Sequence, residues 1–297
     1  MPAGTGQAFD AYVGIDWTGA QPARGVAVAE ADAAGRVAPV LSPGRHWRRD
    51  EAVDWLLARL RRGGRLLVGI DCAFALPWVP GEGYLDGRVP FARDLFDLWD
   101  LVEEASGGAP DHFAGACVAD PRFSPSFWVR GTKPAHWGDG STKRRRAELV
   151  AAETRVGNPV SVLNLAAGPK QVGKASLAGM RALRRLRREA GDALAVWPAE
   201  APEGRSVVTE IFPTLFRRRA GGRIDKITER DVLADAVERL GATLAAEVPQ
   251  RFDDHLGDAM ISAAGLRALA GDPAVWSPRG LEPDMARREG WIFGVGA

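Results

Sequence analysis

The chain has 297 residues, 46% of them apolar, with 39 Lys and Arg against 38 Asp and Glu and a formal net charge of +1. A chain this apolar and this near neutrality can bury enough surface to offset its conformational entropy, which excludes an intrinsically disordered protein, and the charge balance excludes a bulk, sequence-independent coat for nucleic acid. No apolar run approaches the roughly 18 residues of a membrane span, and the opening MPAGTGQAFD lacks the basic and apolar regions of a secretory leader, so the expectation is a cytoplasmic protein with no membrane partner.

Ala11 to Asp16 is a short apolar run ending in an acid and followed by Trp17-Thr18-Gly19, the pattern of a buried strand entering a tight loop. Arg24 to Glu30, with Val26 and Val28 alternating, comes next. Val37 to Leu41 follows after an Ala33-Ala34-Gly35 turn. Connections this short join neighbours, so these three strands form an antiparallel meander. Asp50 is the expected N-cap of a helix carrying Val53, Leu56, Leu57 and Leu60, stopped by Gly63-Gly64. Leu66 to Asp71 then repeats the grammar of the first strand, with VGID at 13–16 and again at 68–71. The helix between them is the crossover that a parallel partner of the first strand requires.

An elaborated insertion at about 77–200 is expected within a single domain covering 1–297. It opens with a Pro77-Trp78-Val79-Pro80-Gly81 loop and a helix over Phe91 to Ala105. Residues 106–158 are rich in Gly, Pro, Trp and charge. Val160 to Leu165 reads as a strand, and Ser176 to Glu189 as a helix with Arg181, Arg184, Arg185 and Arg188 in one basic stripe. Ser206 to Pro213 reads as a strand stopped by proline, and Thr228 with Asp231 as a capping box for a helix using Leu233, Ala236, Val237, Leu240 and Leu244. A last long helix over Phe252 to Ala270 carries Asp254, Asp258 and Ser262 on one face, directed to water or to the strand ends, with Leu256, Met260 and Ala263 on another. The segment Glu289 to Gly294 is apolar and has no assigned place.

Asp16 and Asp71 are the most informative pair. A carboxylate at the carboxyl end of a buried strand needs compensation from hydrogen bonds, a cation or a metal, and ligands of sheets with parallel strands collect outside those ends. If the two strands are adjacent, both side chains reach one ion. Asp258 supplies a third vertex. Glu210 is an anomaly inside a strand, where acids are depleted, and belongs either to a polar face or to a site. With only Cys72 and Cys117 and four scattered histidines, carboxylates are the abundant potential ligands, which points to a hard metal, Mg2+ or Mn2+.

The order of three meander strands with an acid on the first, a helix, a fourth strand with a second acid and a late acidic helix resembles the ribonuclease H-like fold. More closely, VGIDWTGA, VGIDCAFALP, LNLAAGPKQVGKASLAGMRAL, VTEIFPTLF, DDHLGDAMISA and EGWIFGV, in that order over most of the chain, resemble the domain of unknown function 429 family of predicted nucleases. The resemblance implies an α/β fold with a mixed sheet, a three-strand antiparallel meander plus parallel strands flanked by helices. It also implies metal-dependent phosphodiester hydrolysis, with catalytic Asp16, Asp71, Glu210 and Asp258. Asp16 would bridge two metals, Asp71 and Asp258 would flank it, and Glu210 or Asp254 would complete the shell. Histidine often stands three residues before the last acid in resolvase-like relatives, which is where His255 stands relative to Asp258.

Gly168 to Ser176 nearly matches a phosphate loop, but Ala175 replaces the magnesium-binding hydroxyl and Pro169 removes a cradle N–H. Lys170, Lys174 and Ser176 at a helix N-terminus, and Thr18 in the turn after the first strand, remain candidates for a substrate phosphate, with the Arg181, Arg184, Arg185 and Arg188 stripe and Lys143-Arg-Arg-Arg146 expected to line a phosphate-tracking groove and Trp17 and Trp78 placed to stack on a base. The expected partner is nucleic acid or a phosphate-bearing small molecule. The alternatives are an actin-like ATP-binding phosphotransferase and a non-catalytic nucleic-acid-binding protein.

Overall fold

The strand β1 (Ala11–Asp16) is buried on both faces along its length, as a central strand in a largely parallel sheet must be. The computed structural model describes residues 8–129, 131, 134, 143–165, 172–221 and 225–297. β2 (Ala27–Asp32) and β3 (Arg36–Val40) complete the antiparallel meander, and α1 (Arg49–Arg61) crosses over to β4 (Leu66–Ile70), which pairs with β1 in parallel. A two-stranded hairpin of β5 (Trp78–Val79) and β6 (Gly83–Tyr84) follows. Then come α2 (Leu95–Ala105), α3 (Gly115–Ala119), α4 (Arg146–Glu153) and α5 (Val172–Ala190). The chain returns to the sheet through β7 (Leu194–Val196) and β8 (Ser206–Glu210) and continues with α6 (Pro213–Arg219), α7 (Arg230–Arg239), β9 (Thr243–Leu244), α8 (Asp254–Ala270), α9 (Pro273–Trp276) and α10 (Pro283–Arg288).

The main sheet has seven strands in the order β7-β8-β4-β1-β2-β3-β9, with β2 alone running against the rest. Helices cover both faces. Ala11, Val13 and Ile15 of β1 pack with Leu56 and Leu57 of α1, Leu98 and Val102 of α2, and Leu177 and Leu183 of α5. Tyr12 belongs to the opposite core, with Phe216, Leu233, Val237, Ile261 and Leu266 from α6, α7 and α8. From the region at about 77–200, α2 and α5 join α1 in the main core, while Ala147, Val150 and Ala151 of α4 pack in the opposite one. Among the described residues no helix is long and apolar enough to cross a membrane.

Several local expectations are corrected. Val160 to Leu165 forms no strand: Asn164 makes a single bridge to Trp128, and Val162 instead packs its carbonyl under Gly173 at the start of α5. Helix α1 begins after Arg48, not Asp50, because the Glu51 carboxylate accepts the Arg48 N–H at 2.9 Å. Helix α7 is preceded by Glu229, whereas the Thr228 carbonyl accepts the Phe252 N–H at 3.1 Å, so Thr228 and Asp231 form no capping box. The short edge strands β7 and β9 are too brief to show a period. The apolar tail finds its place in the core, where Trp291, Ile292 and Phe293 are buried and the Phe293 N–H donates to the Glu210 carbonyl at 2.9 Å.

Candidate active site

The two VGID strings lie in register: Val13 faces Val68, Gly14 faces Gly69 and Ile15 faces Ile70. The Asp71 N–H continues the ladder to the Ile15 carbonyl at 2.9 Å, so Asp16 and Asp71 are level on neighbouring strands, whose spacing is about 4.8 Å. Both stand two residues beyond the glycines and so share their face of the sheet. Asp16 is buried and Asp71 half-buried. Burial pushes the Asp16 carboxyl above its ordinary range. Burial, then the charges of Asp16 and Asp258, push Asp71 well above it. The site carries more negative charge than its surroundings can solvate.

Glycine is what brings the third acid there. A Cβ on Gly14 would stand 2.2 Å from the Ala259 carbonyl oxygen and 2.7 Å from the Ala263 nitrogen, so the backbone of α8 rides directly on β1. That contact buries α8 almost all round, Asp258 and Ser262 included, and turns the polar stripe to the sheet, one of the two directions expected. Asp258 accepts from Arg217 Nη1 at one oxygen and from Lys226 Nζ at the other. Lys226 also lies 3.6 Å from Asp254. His255 Nδ1 is 2.6 Å from Asp16 Oδ2, and this contact raises the imidazole above its usual value.

Glu210 lies apart from this group. It is in register with Ile70, whose side chain belongs to the α1 and α5 core, so it points away from the face that holds Asp16 and Asp71. Both of its oxygens accept from Arg145, at 2.6 and 2.7 Å, and one also accepts the Phe74 N–H at 3.2 Å. Glu210 thereby anchors the loop that follows Asp71. Its anomalous place in a strand is explained by a buried partner 65 residues earlier in the chain. Glu148, the second partner of Arg145, is pushed up to about 7 by burial.

The expected phosphate-binding residues divide. Gly19 lies so close to Lys174 that a Cβ would stand 2.2 Å from its carbonyl carbon, which sets Thr18 and the exposed Lys174 beside the Asp16 strand end. Helix α5 begins at Val172, a turn earlier than expected. Ser176 therefore lies inside it, buried, with its hydroxyl donating to the Val172 carbonyl and accepting the Ala73 N–H at 3.0 Å, unavailable to a phosphate. Lys170 lies outside the described residues. Three of the four arginines of the stripe are paired, Arg181 on Glu103, Arg184 on Asp100 and Arg185 on Asp54 and Glu189. The stripe lines a cleft of about 500 Å³ whose walls also carry Asp50, Glu103, Asp111 and Glu189, so it is not a purely basic groove. Trp17 is buried in the core and closed to a base, whereas Trp78 is half-buried, edge-to-face with Tyr84 and with the Arg288 guanidinium over its ring.

None of the cations that meet these acids is predicted as their partner: Arg145 belongs to the basic run at 143–146, read as a phosphate track, Lys226 carries no pattern, and Arg217 in Leu-Phe-Arg one turn after Pro213 is a cation in an apolar setting. Among the described residues, no three His, Cys, Asp or Glu side chains are arranged to ligate one ion as they stand. Asp258 is turned to Arg217 and Lys226, and Asp16 to His255. In donor chemistry the site fits a hard divalent cation: paired carboxylate oxygens at strand ends, with their pKa values raised by burial and mutual repulsion. Comparison with family models, curated proteins and solved structures found no match.

Proposed function

We propose that this protein is a divalent-metal-dependent phosphodiesterase acting on nucleic acid, on a sheet of ribonuclease H-like order, in keeping with its resemblance to the domain of unknown function 429 family. The observation that carries the reading is the level pairing of Asp16 and Asp71 at the ends of two parallel strands, with Asp258 near enough for its charge to act on both. The strand order β3-β2-β1-β4-β8 supports the fold assignment. Asp16 and Asp71 would hold the cation. When bound, it supplies charge to the phosphoryl oxygen and an acidified water. His255, on Asp16 and 39% exposed on its side chain, accepts or returns a proton at the solvent edge of the site. Thr18, Lys174 and the first turn of α5 bind the flanking phosphate. Glu210, held by Arg145, keeps the Asp71 loop in place and stays off the cation.

The test is cleavage of labelled single-stranded, duplex and branched nucleic acids with Mn2+ or Mg2+, together with melting of the protein against the same ions. Cleavage and a metal-induced rise in Tm should both be lost in Asp16→Asn. Cleavage that survives in Asp71→Asn, or the absence of any metal effect, would sink the reading. Protection by ATP without cleavage would favour a phosphotransferase instead.

A further inference from the structure

Asp258 is held by two cations of different character. Arg217 has a side chain only 5% exposed and is tied to α6 through Nη2 to Thr214 Oγ1 at 2.8 Å. Lys226 reaches in from the segment before α7, with half of its side chain exposed, and its ammonium lies on Asp258 Oδ2 and 3.6 Å from Asp254. Its charge also acts on Asp16 and Asp71. Lys226 thus sits where the field of four carboxylates converges, and it holds the oxygen of the third acid that a shared ion would need.

The two cations differ in how easily they leave. Withdrawing the guanidinium would strand a buried charge, at high cost. A lysine head on a long flexible stem, already half in water, leaves by rotating outward and is rehydrated as it goes. An ammonium is also a single point charge, whereas a divalent ion brings twice the charge and several coordination positions for hard oxygen donors. The residue that exchanges is therefore Lys226, with Arg217 remaining to orient the carboxylate.

We propose that Lys226 is a resident counter-ion of the carboxylate cluster that a divalent cation displaces from Asp258, so that this lysine sets how tightly the metal is held. The inference rests on the metal-dependent reading above. The test is Mn2+ binding to the full chain, followed by the loss of the free-ion signal in electron paramagnetic resonance and by the metal-induced rise in Tm, for wild type, Lys226→Met, Lys226→Gln and Lys226→Arg. The Met and Gln variants should bind Mn2+ about 10-fold tighter than wild type, equivalent to about 1.4 kcal/mol. The Arg variant, which keeps the charge, should show no gain. Mn2+ binding by wild type with no gain in either neutral variant overturns this inference and leaves the phosphodiesterase reading standing. No Mn2+ binding by any of the four proteins overturns both. Two neutral variants guard against one that fails to fold, and circular dichroism with metal-free melting identifies it.

Discussion

Replacing Arg145 with Met removes a guanidinium that is 1% exposed and leaves two buried carboxylates, Glu210 and Glu148, without their cation. Arg145 donates to Glu148 at 3.0 Å, to both oxygens of Glu210 and to the Glu289 carbonyl at 3.2 Å. Breaking a buried pair from one side costs roughly 3–5 kcal/mol, and two orphaned acids place this variant at the upper end of that range. In a chain of this size the loss should lower Tm by roughly 10 °C. The deficit has a definite pH dependence. Burial already holds the Glu148 carboxyl up at about 7 with the guanidinium present, and removing it raises Glu148 further. A carboxyl raised in the folded state takes up its proton more readily there than in the unfolded chain. The relief is complete below the unfolded value, near 4.5, and is lost as pH rises through the folded value. Urea denaturation of wild type and Arg145→Met at pH 5 and pH 8 should therefore show the larger difference at pH 8. A difference below about 1 kcal/mol, or one that does not change with pH, would refute the role given to Arg145.

Asp71→Asn should stabilise the metal-free protein while abolishing the metal-induced rise in Tm, because burial and the Asp16 and Asp258 charges oppose its ionised form; a lower metal-free Tm at pH 7 contradicts this. Gly14→Ala should cost roughly 1–3 kcal/mol, since its Cβ would meet the α8 backbone at 2.2 Å, and chemical denaturation within error of wild type would rule out the close approach. His255→Gln should destabilise more at pH 6 than at pH 9. Contact with Asp16 raises the imidazole, so its contribution is full below its unfolded value and fades as pH rises through the folded one; equal losses at both pH values in thermal melts contradict that assignment. Arg185→Ala, whose pairs with Asp54 and Glu189 are solvent-exposed, should change stability by under about 1 kcal/mol by the same measurement, and a larger loss would mean the stripe is structural.

Local pattern was enough for the elements that repeat a short rule. The apolar runs ending in Asp16 and Asp71, the brief meander turns and the intervening helix point to a parallel pair, and the structure shows the two strands adjacent and their VGID strings in register, which sets the two acids level. Helix α8 was legible as a helix but not in its setting. Its acids read equally as a wet surface or as part of a site, and the closeness of Gly14 to the Ala259 backbone decides between them. The arginine stripe shows the converse: four basic residues at helical spacing look like a phosphate track until Glu103, Asp100, Asp54 and Glu189 are seen to pair with three of them. Ser176 fails for a simpler reason, since helix ends are set by tertiary contacts and α5 begins a turn early against the Gly19 loop. By itself, then, the sequence determined the central strands and an acid at the end of each, because strand period and connection length act between near neighbours; the adjacency and register that pair Asp16 with Asp71 came from the packed sheet. The tertiary structure alone decided which cation each acid receives: Arg145 for Glu210, Arg217 and Lys226 for Asp258, His255 for Asp16. A buried charge takes whatever partner the packed chain delivers, and these come from 32 to 239 residues away, where no local pattern reaches.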